Sequence, residues 1–194
     1  MVTKNKDKNI SKQIKSSTKL AQFLEKNALH KKDFAQMVGV TLSYVYNLID
    51  DTIPFSTRSA TLERIAVVMD IKPEEFPEYR IPQEPILIDD TVEFLKKKQN
   101  DLGFSTVQFL KAFPRKKRIE IVDILRGALP VPTDWNELKL IANVLQIPNK
   151  ELYPYWEKRM KDVLRTSGVN LRENQELIDK MFACSEKYLM SKND

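Results

Sequence analysis

Shifting the chain by 76 positions lays its first half on its second without a gap from Phe34 onward. Phe34 falls on Leu110, Val45 on Ile121, Leu48 on Ile124, Ile49 on Leu125, Pro54 on Pro130, Thr57 on Thr133 and Leu62 on Leu138. Ile65-Ala66 falls on Ile141-Ala142, Met69 on Leu145, Ile71 on Ile147, Phe76 on Leu152 and Tyr79 on Tyr155. Apolar positions kept in register over this length specify a duplicated structural unit. Upstream, Phe23-Leu24 match Phe94-Leu95 at a shift of 71, so the second unit carries about five extra residues around Lys98 to Phe104. The 194 residues suffice for two small units, joined by the Pro-rich stretch Arg80 to Pro85.

Each unit reads as helical. Four glycines against ten prolines, with long Leu/Ile/Lys/Glu runs, predict an all-α chain whose helices end at Pro-marked turns. So few glycines leave no Gly-rich phosphate loop. The single cysteine, Cys184, excludes an internal disulfide and a multi-Cys zinc site and fits a reducing cytoplasm. The single histidine, His30, excludes two-His metal motifs. The longest apolar run, Ile65 to Met69, is far short of a membrane span, and the Lys-rich start lacks the apolar stretch of a secretory signal.

Of the net charge of +5, the largest share sits at the amino end, where residues 1–19 hold six lysines against Asp7. Ile10 and Ile14 are the only large apolar side chains between Thr3 and Lys19, too few to offset the entropy of ordering. These residues are expected to form a disordered basic arm suited to phosphate or minor-groove contact. Residues 20–90 are net acidic, and the positive balance returns in residues 91–155.

In residues 20–79 the spacing predicts four or five short helices. Leu20, Phe23 and Leu24 follow the N-cap candidates Ser17 and Thr18. A second helix from Lys31 to Val38 buries Phe34, Ala35 and Val38 and stops at Gly39, a left-handed C-cap. Thr41 caps a third, whose inward face is Val45, Leu48 and Ile49. Leu62, Ile65, Ala66 and Met69 form the next stripe, and Pro73 opens a short last helix.

This order resembles the lambda-repressor-like (Xre-type) helix-turn-helix family over about 60 residues. Phe34-Ala35 stands where that family has an apolar-Ala pair, Val38-Gly39-Val40-Thr41 matches its turn, and Val45 and Leu48 match the buried positions of its recognition helix. Leu62 through Ile71 match its fourth helix. The chain departs from the pattern at Ile49 to Asp51 and in a longer loop, Thr52 to Ser59. The resemblance implies a DNA-binding unit in residues 20–79, a linker at 80–90 and a degenerate second unit in residues 91–155.

On that expectation Leu42, Ser43, Tyr46 and Asn47 face the bases, with Asp50 next along the same face. Ser43 and Asn47 can hydrogen-bond base edges, Asn47 matching adenine by its paired donor and acceptor, while Leu42 and Tyr46 can pack on thymine methyl groups, or Tyr46 can reach a phosphate. Lys31, Lys32, Thr41 and Arg58 are the phosphate candidates of the first unit. In the second unit the matching face is Arg118, Ile119, Val122, Asp123 and Arg126, of which Ile119, Val122 and Asp123 cannot easily pair with base edges. Ile119 and Val122 are expected to pack on the C-terminal region or a second chain. The run Arg115, Lys116, Lys117 and Arg118 remains available for phosphates.

Residues 156–194 show two further helical patterns. Trp156, Met160, Val163 and Leu164 line one face up to Thr166-Ser167-Gly168. Asn170 with Glu173 resembles a capping box ahead of Leu171, Leu177, Ile178, Met181, Phe182, Ser185, Tyr188 and Leu189, a stripe that must be buried by intramolecular packing or in a dimer. Cys184 is expected to be a buried, inert thiol on or near it, and His30 a surface residue at a helix start. No nucleophile with its base stands out, so no enzyme, metal or cofactor is expected. The expected function is a cytoplasmic, homodimeric transcriptional regulator, a repressor acting on double-stranded DNA, with no membrane and no ligand specified. The alternative is a protein-interaction module, an antitoxin or adaptor, that uses the same helices to bind another protein.

Overall fold

The computed structural model describes residues 14–55, 59–80 and 90–191. They form an all-α protein of ten helices with no strand among the described residues. The first five elements are α1 (Ser16–Lys26), α2 (Lys31–Val38), α3 (Leu42–Ile49), α4 (Ser59–Val68) and a 3-10 turn, Pro73–Glu75. Then come α5 (Asp90–Asp101), α6 (Thr106–Lys111), α7 (Arg115–Leu125), α8 (Trp135–Val144), α9 (Asn149–Thr166) and α10 (Gln175–Ser191). No helix among the described residues is long and apolar enough to cross a membrane.

α8 repeats the bounds of α4 at the 76-residue shift, whereas α6 and α7 differ in bounds from α2 and α3. α4 and α8 have ten residues each and begin at Ser59 and Trp135, and α9 begins at Asn149 where the first half has Pro73. Left-handed backbone recurs likewise, at Asp51 (φ 57°) and Gly127 (φ 78°), and at Asp70 and Gln146 (both φ 54°). Such conformations are uncommon outside glycine. Their repetition marks two chain reversals of the same shape. Phe34, Val45, Leu48, Leu62 and Phe76 are buried in the first half, and Leu110, Ile121, Ile124, Leu138 and Leu152 in the second.

Several local expectations change. α1 begins at Ser16, so residues 16–19 belong to the helix rather than the arm. Ser17 and Thr18 lie inside it, and Lys15 is its N-cap. Ser16 and Ser17 are buried, and the Ser16 hydroxyl donates to Glu78 Oε2 at 2.8 Å. The second unit's last helix and the first C-terminal pattern are one helix, α9, that runs through the boundary placed at residue 155. Pro154 removes one backbone donor from it. Leu152, Tyr153 and Trp156, buried on either side, hold the helix together.

The second unit docks on the first rather than on the C-terminal region. α7 packs more extensively on α2 than any other pair of elements among the described residues, and it also packs on α4. Val122 is fully buried, and the Ile119 side chain lies against Gly39, whose left-handed backbone (φ 76°) closes α2. Ile119 and Val122 therefore have their partner within the same chain. Asp70 receives the Thr106 N–H at 3.0 Å and the Thr106 hydroxyl, which fixes the start of α6 to the end of the first unit.

α10 closes the molecule. Ile178 and Phe182 are buried, Phe182 meets Trp156 edge to face at 6.0 Å, and the Tyr153 hydroxyl donates to the Phe182 carbonyl at 2.6 Å. The predicted stripe is only partly covered, since Leu177 is 68% exposed, Tyr188 55% and Met181 43%. The apolar positions wrap over a wider arc of α10 than α9 can cover. Cys184 falls on the uncovered side and is exposed. The Asn170 carboxamide oxygen accepts from the Arg172 and Glu173 N–H groups at 3.2 and 3.4 Å, in a turn before α10 begins at Gln175.

Candidate nucleic-acid interface

Two eight-residue helices joined by a short turn build the candidate surface. Gly39 terminates α2, its N–H donating to the Ala35 carbonyl at 2.9 Å. Thr41 starts α3, its hydroxyl accepting from the Tyr44 N–H at 3.2 Å, which is the capping role expected of it. Val45 and Leu48 are fully buried and Ile49 is half-buried, so α3 is held by one face. Its other face carries Leu42, Ser43, Tyr46, Asn47 and Asp50, all exposed. The four base-reading candidates thus share one open row.

Lys31 and Lys32 begin α2, next to that row. The Lys31 ammonium stands 4.2 Å from the centre of the Tyr46 ring, close enough for a cation–π contact that holds positive charge on the α3 face. His30 is the N-cap of α2 but makes no side-chain cap bond, and it is exposed. The start of a helix carries a partial positive charge and attracts anions.

Two carboxylates near this face are paired, while Asp50 stands exposed on the face itself. Asp51 pairs with Lys15 at 2.8 Å, a hydrogen bond that lowers the Asp51 pKa and raises that of Lys15. Asp33, in the first turn of α2, lies 3.8 Å from the Arg115 guanidinium. Arg115 comes from α7, and the sequence made it a phosphate candidate of the second unit without relating it to the α3 face. The structure brings it into one open groove of about 900 Å³ with Lys31, Lys32, Leu42 and Tyr46, floored by Leu24, Leu29 and Ile49. Nothing local in the sequence signals that meeting, which follows from how α7 lies on α2.

The other basic candidates of α7 are engaged differently. Lys117 is shared between Glu120 at 2.9 Å and Glu137 at 3.2 Å. Arg118 donates to the Phe113 carbonyl at 3.1 Å, while Lys116 is exposed. Arg58 lies outside the described residues.

A partly buried ionic cluster joins α4 to α7 and its C-cap. Arg64 grips both Asp123 oxygens, at 2.7 and 2.8 Å, and Arg126 bridges Asp123 and Glu63, each at 2.7 Å. Glu63 also accepts from the Tyr79 hydroxyl at 3.1 Å. Burial and this bond push the Tyr79 pKa up to about 12. Sequence reasoning missed this cluster; the signal was an aspartate and an arginine three positions apart, Asp123 and Arg126, on a face shared with Arg118, Ile119 and Val122.

Comparison with protein-family models, with curated proteins and with solved structures found no match to this chain.

Proposed function

We propose that the chain is a sequence-specific DNA-binding regulator, a tandem of lambda-repressor-like helix-turn-helix units in which α3 of the first unit reads the major groove. One observation carries this reading. α3 presents two uncharged hydrogen-bonding side chains, Ser43 and Asn47, outward with Leu42 and Tyr46, beside the cationic start of α2. Base edges are read by such groups, and phosphates position the helix that carries them. The recurrence of the α4 bounds in α8, and of left-handed residues after 76 positions, supports the tandem. The exposed Leu177, Met181 and Tyr188 of α10 support self-association, which suits paired half-sites and repression by occupancy.

The test is selection of duplexes from a random pool by the full chain, followed by Asn47→Ala. The variant is expected to lose about 1–3 kcal/mol of preference at one base pair and to keep its binding to random duplex. Equal losses on both would remove Asn47 from base reading.

A second reading has its own observation: the groove beside α3 is floored by Leu24, Leu29 and Ile49, apolar groups suited to a protein segment. In that case the chain is an adaptor or antitoxin, and no duplex is enriched.

A further inference from the structure

We propose that the second unit reads no bases and instead widens the DNA surface of the first, with α7 delivering Arg115 and Lys116 to the same duplex that α3 enters. This rests on the DNA-binding reading above and assigns the second unit its part in it.

The argument starts from what α7 has spent. Its face corresponding to the reading face of α3 is Arg118, Ile119, Val122, Asp123 and Arg126. Ile119 lies on Gly39 and Val122 is fully buried. Asp123 and Arg126 are held in ion pairs with Arg64 and Glu63 of α4, and Arg118 bonds the Phe113 carbonyl. A helix so committed cannot enter a major groove.

Its first turn is another matter. Arg115 is 63% exposed on its side chain and lines the groove that holds Lys31, Lys32 and Tyr46. Its loose pairing with Asp33 offsets a carboxylate that otherwise faces the phosphates. Lys116 is exposed beside it. Ile119 on Gly39 and Asp123 with Arg64 fix α7 along α2, so these two cations keep their place relative to α3. A polyanion laid along α3 meets Lys31 and Lys32 of the first unit and Arg115 of the second, in a groove that Glu25 and Asp33 also line.

Phosphate contacts made by fixed cations are read in salt dependence, at about 0.9 in the slope of log K against log salt for each contact. The experiment measures binding of the full-length chain to its selected duplex and to a random duplex across a salt series. The double variant Arg115→Ala, Lys116→Ala is compared with Lys117→Ala, whose lysine is held by Glu120 and Glu137. The double variant is expected to lower the slope by about 1.8 on both duplexes while keeping the base preference set by Asn47. Lys117→Ala is expected to leave it unchanged. A slope unaltered in the double variant, or an equal loss in Lys117→Ala, overturns the inference and leaves base reading by α3 standing. No duplex binding by the unaltered chain overturns both.

Discussion

Gly39 carries two demands that no other residue meets together. Its φ of 76° is left-handed, and a Cβ there would collide with the Ile119 side chain. Gly39→Ala is expected to cost about 1–2 kcal/mol, chiefly backbone strain with the Ile119 δ-methyl displaced, read as a lower urea midpoint. The first demand is legible from a glycine after an amphipathic run; the second is not, because Ile119 is 80 positions away. Cys184 teaches the reverse lesson. Its place near an apolar stripe implied burial, yet it is exposed, since α9 covers a narrower arc of α10 than the stripe spans. It is expected to react stoichiometrically with a maleimide in the native protein, whereas a thiol that reacts only in denaturant would contradict that exposure.

At the scale of elements, pattern reading located the helices well and their ends less well. α3 stands where Thr41 and the Val45, Leu48, Ile49 spacing put it, because a cap and a single buried face are local properties. α1 starts earlier than its Ser17 and Thr18 suggested, because the Ser16 hydroxyl is used by Glu78, 62 residues on. α10 depends on tertiary contact. With Phe182 and Ile178 as its buried anchors, Phe182→Ala is expected to cost about 3–5 kcal/mol. Hydrogen exchange is expected to rise along α10 before it rises in α2 to α4, because segments with few buried contacts open first. Uniform acceleration throughout would show that α10 does not open separately.

Across the whole molecule, the ionic cluster makes the joint between units sensitive to acid. Burial pushes the Asp123 carboxyl up, but hydrogen bonds from Arg64 and Arg126 outweigh it and hold its pKa below the usual carboxylate range. A carboxylate lowered in this way stabilises fully above its unfolded pKa of about 4, and that contribution is lost as pH falls through the lower, folded value. The intact chain is therefore expected to lose stability below about pH 4. Asp123→Asn is expected to be about 1.5–3 kcal/mol weaker at neutral pH and to show a shallower acid decline, measured by urea unfolding across pH. A variant that keeps the parent's acid slope would place the sensitivity elsewhere. The helical class and the outward row Leu42, Ser43, Tyr46 and Asn47 were determined by sequence alone, because apolar spacing and caps act within a few residues. Only the tertiary structure decided that α7 lies on α2, that Arg115 joins Lys31 and Tyr46, and that Asp123 meets Arg64, because each joins residues 59 or more positions apart. Periodicity reveals that a face must be covered; packing chooses what covers it.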